Sequence, residues 1–319
     1  MAILAGIDEA GYGPILGPLV VSSVAFRVPD ASVGACLWKA LARSSTPKVS
    51  RGARRLAIAD SKKLYSRGKL GPLERAALVM LAVRGHRPGN MPELLDLLAP
   101  GGSQIRREYP WYCDEGLSLP LSNDVGDVAT RANAVRLDCA ENDIELTAVR
   151  CELLLAAEYN QLVKRTRNKA VVLLGLALRL VYGILRRSKG QRVRLCVDRL
   201  GGRQHYRESL STAFPQYELQ IVEESPARSA YRLTHSSQVC EIEFVTNGET
   251  HHLPVALASV YSKYVRELHM HLFNRYWSRK QGGLKPTAGY YTDAKRWLKD
   301  ASRMLDRLNI DRSMLVRER

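Results

Sequence analysis

The chain has 319 residues, 45% hydrophobic and 25% charged, as expected for a soluble globular protein with one or two domains and a substantial core. Lys and Arg outnumber Asp and Glu by 48 to 32, which gives a formal net charge of +16 and a field that attracts polyanions. Ribosomal association or non-specific binding would produce the same count. The basic residues are spread along the chain, with local concentrations at 48–55, 164–169 and 186–194, which indicates a basic face rather than a tail.

The six cysteines form no Cys-x-x-Cys pair, and no His lies at zinc-finger spacing, which excludes a structural zinc site of that kind and favours a reducing compartment. Two acids at positions 8 and 9 and the lack of a basic leading segment argue against a signal peptide. The most apolar long segment, 170–185, is interrupted by Arg179 and too short to span a bilayer, so it predicts a buried helix. We therefore expect a cytoplasmic protein that does not bind membranes.

The first predicted elements are strands over 3–7 and 19–26, which form a hairpin around a glycine-rich turn. A helix is expected over 31–41. The Ser-, Thr-, Pro- and Arg-containing segment 44–55 predicts a mobile loop that attracts phosphate. A helical pattern then covers 72–83.

The middle of the chain is less regular. The Gly-, Pro- and Ser-rich stretch 86–127 predicts irregular structure that could be an insertion. A strand over 144–151 and one or two long helices over 152–187 follow.

The last part of the chain returns to alternating elements. Strands are predicted over 192–198, 217–223 and 239–246, and helices over 254–273 and 292–308. Because strands and helices interleave, the pattern predicts an α/β fold.

Acidic residues stand at the ends of two of these strands. Asp8 and Glu9 end the first strand, and Asp198 ends the strand over 192–198. Adjacent like charges repel, so Asp8 and Glu9 favour a nearby hard divalent cation with oxygen ligands, although an edge strand that ends in a solvated acidic turn would look the same. If the strands are neighbours, three carboxylates converge at one sheet edge. On a basic protein, this predicts phosphodiester chemistry assisted by two Mg²⁺ ions about 4 Å apart.

Five blocks in order resemble the type 2 ribonucleases H, the ribonuclease HII family. The first is Gly-Ile-Asp-Glu-Ala-Gly-Tyr-Gly-Pro at 6–14, followed by Gly-Pro-Leu-Val at 17–20. The others are Asp-Ser-Lys-Lys-Leu at 60–64, Val-Asp at 197–198, Ala-Ser-Val-Tyr-Ser-Lys-Tyr-Val-Arg-Glu at 258–267, and Gly-Tyr-Tyr-Thr at 289–292. The resemblance implies a ribonuclease H-like mixed central sheet flanked by helices, with insertions and a C-terminal helical segment. It places a catalytic domain at 1–297, with insertions at about 86–127 and 224–240, and a C-terminal helix and tail at 298–319.

The resemblance also implies the residues of the site. The catalytic carboxylates, which would hold two Mg²⁺ or Mn²⁺ ions, correspond to Asp8, Glu9, Asp198 and Glu249. Glu249 lies ten positions before Ser259, where the family usually has Asp, and Glu267 and Glu243 are the fallback candidates for this fourth ligand. The residues expected to bind substrate are Gly11, Tyr12, Gly13, Lys62, Lys63, Lys263 and Tyr290.

Tyr12 departs from the family pattern. The family has Gly-Arg-Gly where this chain has Gly11-Tyr12-Gly13, and that turn recognises the 2′-hydroxyl that distinguishes RNA from DNA. The glycines are retained, but the cation is replaced by an aromatic ring. The preference for a single ribonucleotide or an RNA–DNA junction is therefore an open point.

The resulting hypothesis is a monomeric endonuclease that cleaves the RNA strand of an RNA–DNA hybrid, or of a DNA duplex containing ribonucleotides, and leaves 3′-hydroxyl and 5′-phosphate ends. The first alternative is a nucleic-acid-binding homologue with weak or lost activity. The second is a nuclease of the same fold with altered substrate, such as DNA or structured RNA.

Overall fold

A seven-stranded mixed sheet forms the centre of the computed structural model, which describes residues 1–50, 52–65, 68–102, 108–113, 117–188 and 190–318. Strands β5 and β7 lie at the edges of this sheet, whose order is β5-β2-β1-β6-β9-β8-β7. The β1–β6 and β6–β9 pairs are parallel and the other pairs antiparallel. The strands, including a separate two-stranded pair β3–β4, are β1 Ala2–Ala10, β2 Leu19–Val28, β3 Ser45–Thr46, β4 Leu56–Ala57, β5 Glu145–Leu154, β6 Val193–Asp198, β7 Glu218–Glu224, β8 Arg228–His235 and β9 Gln238–Val245.

Helices cover both faces of the sheet, so the predicted fold class, a mixed sheet flanked by helices, is confirmed. The long helix α9 packs on one face against β1 and β2, and α7 packs on the other. The α-helices of the described residues are α1 Leu37–Ala40, α2 Ser61–Leu64, α3 Gly71–Val83, α4 Met91–Leu98, α5 Val125–Glu141, α6 Ala156–Thr166, α7 Lys169–Arg187, α8 Arg207–Ala213, α9 Leu253–Lys280, α10 Tyr291–Arg307 and α11 Arg312–Leu315.

Strand β1 is buried on both faces, because its side chains alternate between two hydrophobic clusters. Leu4 belongs to the cluster on the α9 side, whereas Ile3 and Ile7 belong to the cluster on the α7 side. Gly6 lets α9 approach the strand, since a Cβ at this position would lie 2.3 Å from the backbone nitrogen of Val255. The first turn of α9 therefore rests directly on β1, next to Asp8.

Two predictions of local structure in the first sixty residues are wrong. The helix over 31–41 is reduced to a 3₁₀ turn at Asp30–Ser32 and the single-turn α1, since the sequence between them contains Gly34, a poor helix former. The segment 44–55 does not begin as a mobile loop. Ser44 to Thr46 are buried, and both the backbone nitrogen and the hydroxyl of Ser44 donate to Asp138, at 2.9 and 2.7 Å. Residue 51 of this segment lies outside the described residues.

The stretch 86–127, predicted to be irregular, contributes to the core. It contains α4 and the 3₁₀ turn Pro110–Tyr112, and the ring of Trp111 lies 5.4 Å from that of Trp277 in α9. Clustered aromatic rings bury large apolar surfaces even where the backbone is irregular. Residues 103–107 and 114–116 of the stretch lie outside the described part of the chain.

The predicted insertion at 224–240 contains a strand that the sequence pattern did not reveal. Strand β8 pairs with β7 on one side and β9 on the other, and so extends the sheet. At the other end of the chain, α10 is continuous across residue 297, the position at which the resemblance ends the catalytic domain.

No single helix among the described residues is long and apolar enough to cross a membrane. Helices α6 and α7 reach the required length and composition only when they are taken together, and they are bent by 111° relative to each other.

Candidate functional site

The parallel pairing of β1 and β6 brings two predicted carboxylates side by side. Ile7 pairs with Val197, so the next residues, Asp8 and Asp198, lie level with each other on adjacent strands, about 4.8 Å apart by the usual strand spacing. Glu9 follows on β1. All three acids lie at the carboxyl ends of parallel strands, as the sequence predicts.

Glu249 reaches the same edge from β9, the third parallel strand. It lies in the 3₁₀ turn Gly248–Thr250, between β9 and α9, and its side chain is buried. The backbone nitrogen of Gly248 donates to Asp198 Oδ1 at 2.9 Å, which holds the turn against β6. Glu249 also lies near enough to Asp198 for its charge to help raise the pKa of that carboxyl group.

The two fallback candidates are engaged elsewhere. Glu267 Oε1 accepts from Lys263 at 2.7 Å and from Arg266 at 2.8 Å. Glu243 accepts from Arg228 at 2.8 Å. The structure therefore brings Glu249, and neither fallback residue, to the other three acids.

Burial and mutual repulsion raise the pKa values of these carboxyl groups. The pKa of Asp8 lies well above its usual range, because the group is buried and faces Glu9 and Asp198, although a hydrogen bond from Ser259 partly offsets this. Burial, together with the charge of Asp198, raises the pKa of Glu9 to about 7. Burial is again the main cause for Asp198, whose pKa is about 6, with a further contribution from Glu249. The cluster thus disfavours its own ionised state.

The donor chemistry of the cluster fits a hard divalent cation. Glu9 Oε2 and Glu249 Oε2 are buried and have no hydrogen-bond partner among the residues that the structure describes. Carboxylate oxygens are the ligands that Mg²⁺ and Mn²⁺ prefer, and a cation would satisfy these two atoms while offsetting the repulsion. Asp8, Glu9, Asp198 and Glu249 are the residues that would hold it.

A different trio forms the tightest group of potential metal ligands in the described part of the chain. The ligand atoms of Cys196, Glu243 and His252 all lie within 4.8 Å of one another, closer than the four carboxylates come as a set. Two cations, Arg228 and Arg194, already contact Glu243. Burial and the charge of Glu243 keep the pKa of the Cys196 thiol well above its usual range, so the thiolate form needed for metal binding is disfavoured.

Serine residues of α9 fix the end of β1. Ser262 Oγ donates to the carbonyl oxygen of Asp8 at 2.9 Å. The hydroxyl of Ser259 donates to Ser61 Oγ in α2 at 2.9 Å. Asp60 caps α2, since its side chain accepts from the backbone nitrogen of Lys62 at 3.0 Å. The Asp-Ser-Lys-Lys block is thereby fixed beside the acids.

The glycine turn, residues 11–14, follows directly on the acids. Gly11 has a φ of +90°, and a Cβ there would lie 2.4 Å from the carbonyl oxygen of Pro18, so no other residue fits without strain. Gly13 is exposed, and a Cβ at this position would meet nothing within 4 Å. The turn therefore has a tightly packed first glycine and an open second one.

A buried arginine near the chain's end holds this turn in place. Arg317 Nη2 donates to the carbonyl oxygens of Gly11 and Pro14. The backbone nitrogen of Arg317 donates to the carbonyl oxygen of Ile15 at 2.8 Å. Arg317 is only 2% exposed, and its guanidinium lies over the ring of Tyr159, 5.0 Å from the ring centre. The side chain of Asn160 fixes the same tail by donating to the carbonyl oxygen of residue 316 at 2.8 Å. Nothing in the local sequence around position 317 predicts this contact.

Tyr12 points toward the N-terminal end of α7. Its hydroxyl would lie 3.1 Å from a Cβ on Gly201, and the ammonium of Lys169 lies over its ring at 5.0 Å. A cation is thus present beside the turn although position 12 carries none. Sequence reasoning did not identify Lys169, whose role depends on how α7 packs against β1.

The other predicted substrate residues differ in their availability. Lys62 and Lys63 are exposed, and the charge of Lys62 opposes the rise in the pKa of Glu9. Lys263 is ion-paired with Glu267, which reduces its capacity to bind phosphate. The ring of Tyr290 is 52% exposed, and the preceding carbonyl oxygen, that of Gly289, accepts from the backbone nitrogens of residues 15 and 16. Tyr290 is therefore presented beside the glycine turn.

The raised pKa values predict a pH-dependent stability. Because the folded protein binds protons at Glu9 and Asp198 more tightly than the unfolded chain, their stabilising contribution is complete below about pH 4 and is lost as the pH rises through about 6 to 7. We expect the unfolding free energy in EDTA to fall by roughly 1–3 kcal/mol between pH 5 and pH 8. Urea unfolding at several pH values measures this, with Asp198→Asn as the comparison. An equally steep decline in Asp198→Asn would contradict the assignment, as would a flat wild-type profile.

The chain is similar, at low identity, to solved structures of ribonucleases H. The matching chain in the PCNA:RNase HII complex from Archaeoglobus fulgidus is 17% identical, with 99% of this chain and 94% of that chain covered and a TM-score of 0.44. The ribonuclease H2 from Pyrococcus horikoshii OT3 is 12% identical, with 98% of this chain and 92% of that chain covered and a TM-score of 0.41. Bst-RNase HIII in complex with Mn²⁺ is 14% identical, with 99% of this chain and 66% of that chain covered and a TM-score of 0.40. No family model matches the chain, and neither does any curated protein. Similarity at this level assigns neither a family nor an activity.

Proposed function

We propose that this protein is a cytoplasmic, monomeric, metal-dependent endonuclease that hydrolyses the RNA strand of RNA–DNA hybrids and leaves 3′-hydroxyl and 5′-phosphate ends. The observation that carries the proposal is the convergence of Asp8, Glu9, Asp198 and Glu249 at the ends of three adjacent parallel strands. The net charge of +16 supports a polyanionic substrate. The five sequence blocks that resemble ribonuclease HII, and the similarity to solved ribonuclease H structures, point to the same substrate.

The carboxylates would hold two divalent cations, which supply an activated water and stabilise the leaving oxygen. The protein positions these ligands rigidly, since Asp8 is fixed by serines of α9, and Asp198 by the backbone of residue 248. No side-chain nucleophile is required. The glycine turn would accept the ribose, because Gly13 leaves the backbone open to close approach.

Lys169 over the Tyr12 ring supplies a cation beside the turn, where it can meet a phosphate. The exposed ring of Tyr290, next to the residue that bonds the turn's continuation, offers a stacking surface.

Cleavage of labelled DNA duplexes that contain one, four or many ribonucleotides, in Mg²⁺ and in Mn²⁺, tests the proposal directly. We expect cuts in the RNA-containing strand only. A protein that binds these duplexes but cuts none of them with either metal is the nucleic-acid-binding homologue. Cuts in duplexes without ribonucleotides would instead indicate a nuclease with altered substrate.

The variant Glu249→Gln tests whether the proposed metal site uses four carboxylate ligands or only three. Because the glutamine keeps the size but loses the charge, we expect cleavage to fall by about 10²-fold or more, with little change in hybrid affinity. Glu249→Asp keeps the carboxylate that the family usually has here and should retain most of the activity. Single-turnover cleavage of the hybrid measures both variants. Full activity of Glu249→Gln would remove Glu249 from the ligand set.

A further inference from the structure

The connection between α6 and α7 carries four cations within six residues and contains no Asp or Glu. The four are Lys164, Arg165, Arg167 and Lys169. Lys164 is ion-paired with Glu318 at 3.3 Å. For the other three, no carboxylate oxygen of the described residues lies within 4.0 Å of the charged group. Most of the positive charge of this segment is therefore uncompensated.

This segment lies at the same end of the sheet as the carboxylates. A Cβ on Gly201, in the loop after β6, would lie 3.1 Å from the Tyr12 hydroxyl and 3.6 Å from the Cβ of Ala170 in α7. The ammonium of Lys169 is 5.0 Å from the centre of the Tyr12 ring. Tyr12 follows Glu9 by three residues, so their Cα atoms are at most about 11 Å apart. The start of α7 thus borders the glycine turn that follows the acids.

The C-terminal tail fixes the segment beside that turn. Lys164 pairs with Glu318, and the preceding residue, Arg317, donates to carbonyl oxygens of the glycine turn. At the other end of the segment, the side chain of Asn168 caps α7 by accepting from the backbone nitrogen of residue 170 at 2.9 Å. The cations are therefore presented from a fixed position rather than from a free loop.

Two of the cations occupy positions that do not favour folding. Arg167 ends α6 with a φ of +52°, a conformation usually taken by Gly or Asn. Lys169 is the first residue of α7 and lies at the positive end of the helix dipole, where acids are favoured and the first turn has none. Arg165, in contrast, lies in the last turn of α6, where a cation stabilises the helix. Helix stability therefore accounts for Arg165 but disfavours Arg167 and Lys169.

Cations also lie on the other side of the carboxylates. Lys62 and Lys63 belong to α2, which is joined to α9 by the hydrogen bond between Ser259 and Ser61. Because α9 and α7 cover opposite faces of the sheet, positive charge flanks the row of acids on both faces. A duplex that lies across the end of the sheet would meet both groups, since each of its strands carries a phosphate about every 3.4 Å along the axis.

We propose that Arg167 and Lys169 bind the phosphate backbone of the nucleic acid on the α7 side of the carboxylates, opposite the lysines of α2. This inference rests on the proposed function and adds a direction to it. The duplex lies across the end of the sheet, from the face covered by α9 to the face covered by α7. Contacts of this kind position the duplex and do not depend on its base sequence.

The test compares Arg167→Asn and Lys169→Gln with the control Arg186→Gln. Arg186 is exposed in the last turn of α7, about 25 Å along the helix from Lys169. Affinity for a fluorescent RNA–DNA hybrid is measured in EDTA at several salt concentrations. For each of the first two variants we expect an affinity loss of about 3- to 10-fold and a salt dependence of log K shallower by about 0.7–0.9, as for one lost phosphate contact. Arg186→Gln should change affinity by less than about twofold, because it lies far from the duplex.

Melting temperatures distinguish this role from a structural one. Because Asn tolerates the left-handed conformation, Arg167→Asn should melt at or above the temperature of the wild type. Lys169→Gln removes a cation from the positive end of α7 but also loses the contact with Tyr12, so its melting temperature should change by no more than about 2 °C. Weaker binding would then appear in variants that remain fully folded.

Equal losses of affinity in Arg186→Gln and Arg167→Asn would overturn the site, since only the net charge would then be involved. A wild type that binds and cleaves the hybrid, with affinity unchanged in Arg167→Asn and Lys169→Gln, would overturn this inference alone. A wild type that does not bind the hybrid would overturn the proposed function with it. Binding that depends on these two residues, without cleavage in Mg²⁺ or Mn²⁺, would support this inference and overturn the proposed nuclease activity.

Discussion

Replacing Asp8 by Asn is expected to reduce hydrolysis of an RNA–DNA hybrid by about 10³-fold or more, while making the protein more stable at pH 8. Activity falls because Asp8 is proposed to bind the cations between β1 and β6. Stability rises because burial, and then the charges of Glu9 and Asp198, hold the pKa of Asp8 far above its usual range, so its ionised form is costly. An asparagine keeps the shape and can still accept from the backbone nitrogen of Glu9, now at 2.7 Å.

Three measurements on Asp8→Asn test this together: single-turnover cleavage, hybrid affinity and urea unfolding in EDTA. The matched control is Glu243→Gln, a buried carboxylate on β9 that is paired with Arg228. Its loss removes the buried one of the two carboxylates that pair with Arg228, the other being Glu223, so we expect it to lower stability by about 1–3 kcal/mol and to preserve most of the activity. Near-wild-type cleavage by Asp8→Asn would refute the assignment, and a destabilised Asp8→Asn would refute the electrostatic argument.

Replacing Arg317 by Gln is the second change for which we expect a large effect. The substitution removes the donors to the carbonyl oxygens of Gly11 and Pro14, which would remain buried without partners. We expect a loss of about 2–4 kcal/mol in unfolding free energy. We also expect a 10- to 100-fold loss in kcat/KM, because small displacements of a positioning element reduce catalysis strongly.

Arg312→Gln is the control, since Arg312 lies in the same tail but is only half-buried and ion-paired with Asp306. Its effect on stability should stay within about 0.5 kcal/mol. A structural role alone would change stability and leave selectivity intact, so the decisive readout is the ratio of cleavage at a ribonucleotide to cleavage at a deoxyribonucleotide. An unchanged ratio in Arg317→Gln, under conditions where it is folded, would contradict a role in positioning the turn.

The sequence predicted best those features that depend on neighbouring residues. Short apolar runs that end in acids predicted β1 and β6, and family resemblance supplied the position of Glu249. The pattern could not distinguish Glu249 from Glu243 and Glu267 by residue type. That distinction depends on tertiary contacts, since Arg228 and Lys263 engage the other two.

Features that depend on distant contacts were missed. Strand β8 contains Arg228, Arg232 and His235, and its place inside the sheet becomes evident only once β7 and β9 pair with it. The aromatic residues near 111 looked irregular because their order comes from packing against α9 rather than from a periodic pattern. Lys169 and Arg317 were missed for the same reason, since each contacts the glycine turn from a position far away along the chain.

The contact between Arg317 and the glycine turn has a consequence for the order of assembly. Its two ends are 306 residues apart, so this contact closes one of the longest possible loops of the chain. The turn beside the acids can reach its final contacts only after residue 317 has emerged from the ribosome, well after β1, β6 and β9 have been synthesised. A growing chain would therefore contain all four carboxylates before the contact that fixes the glycine turn could form.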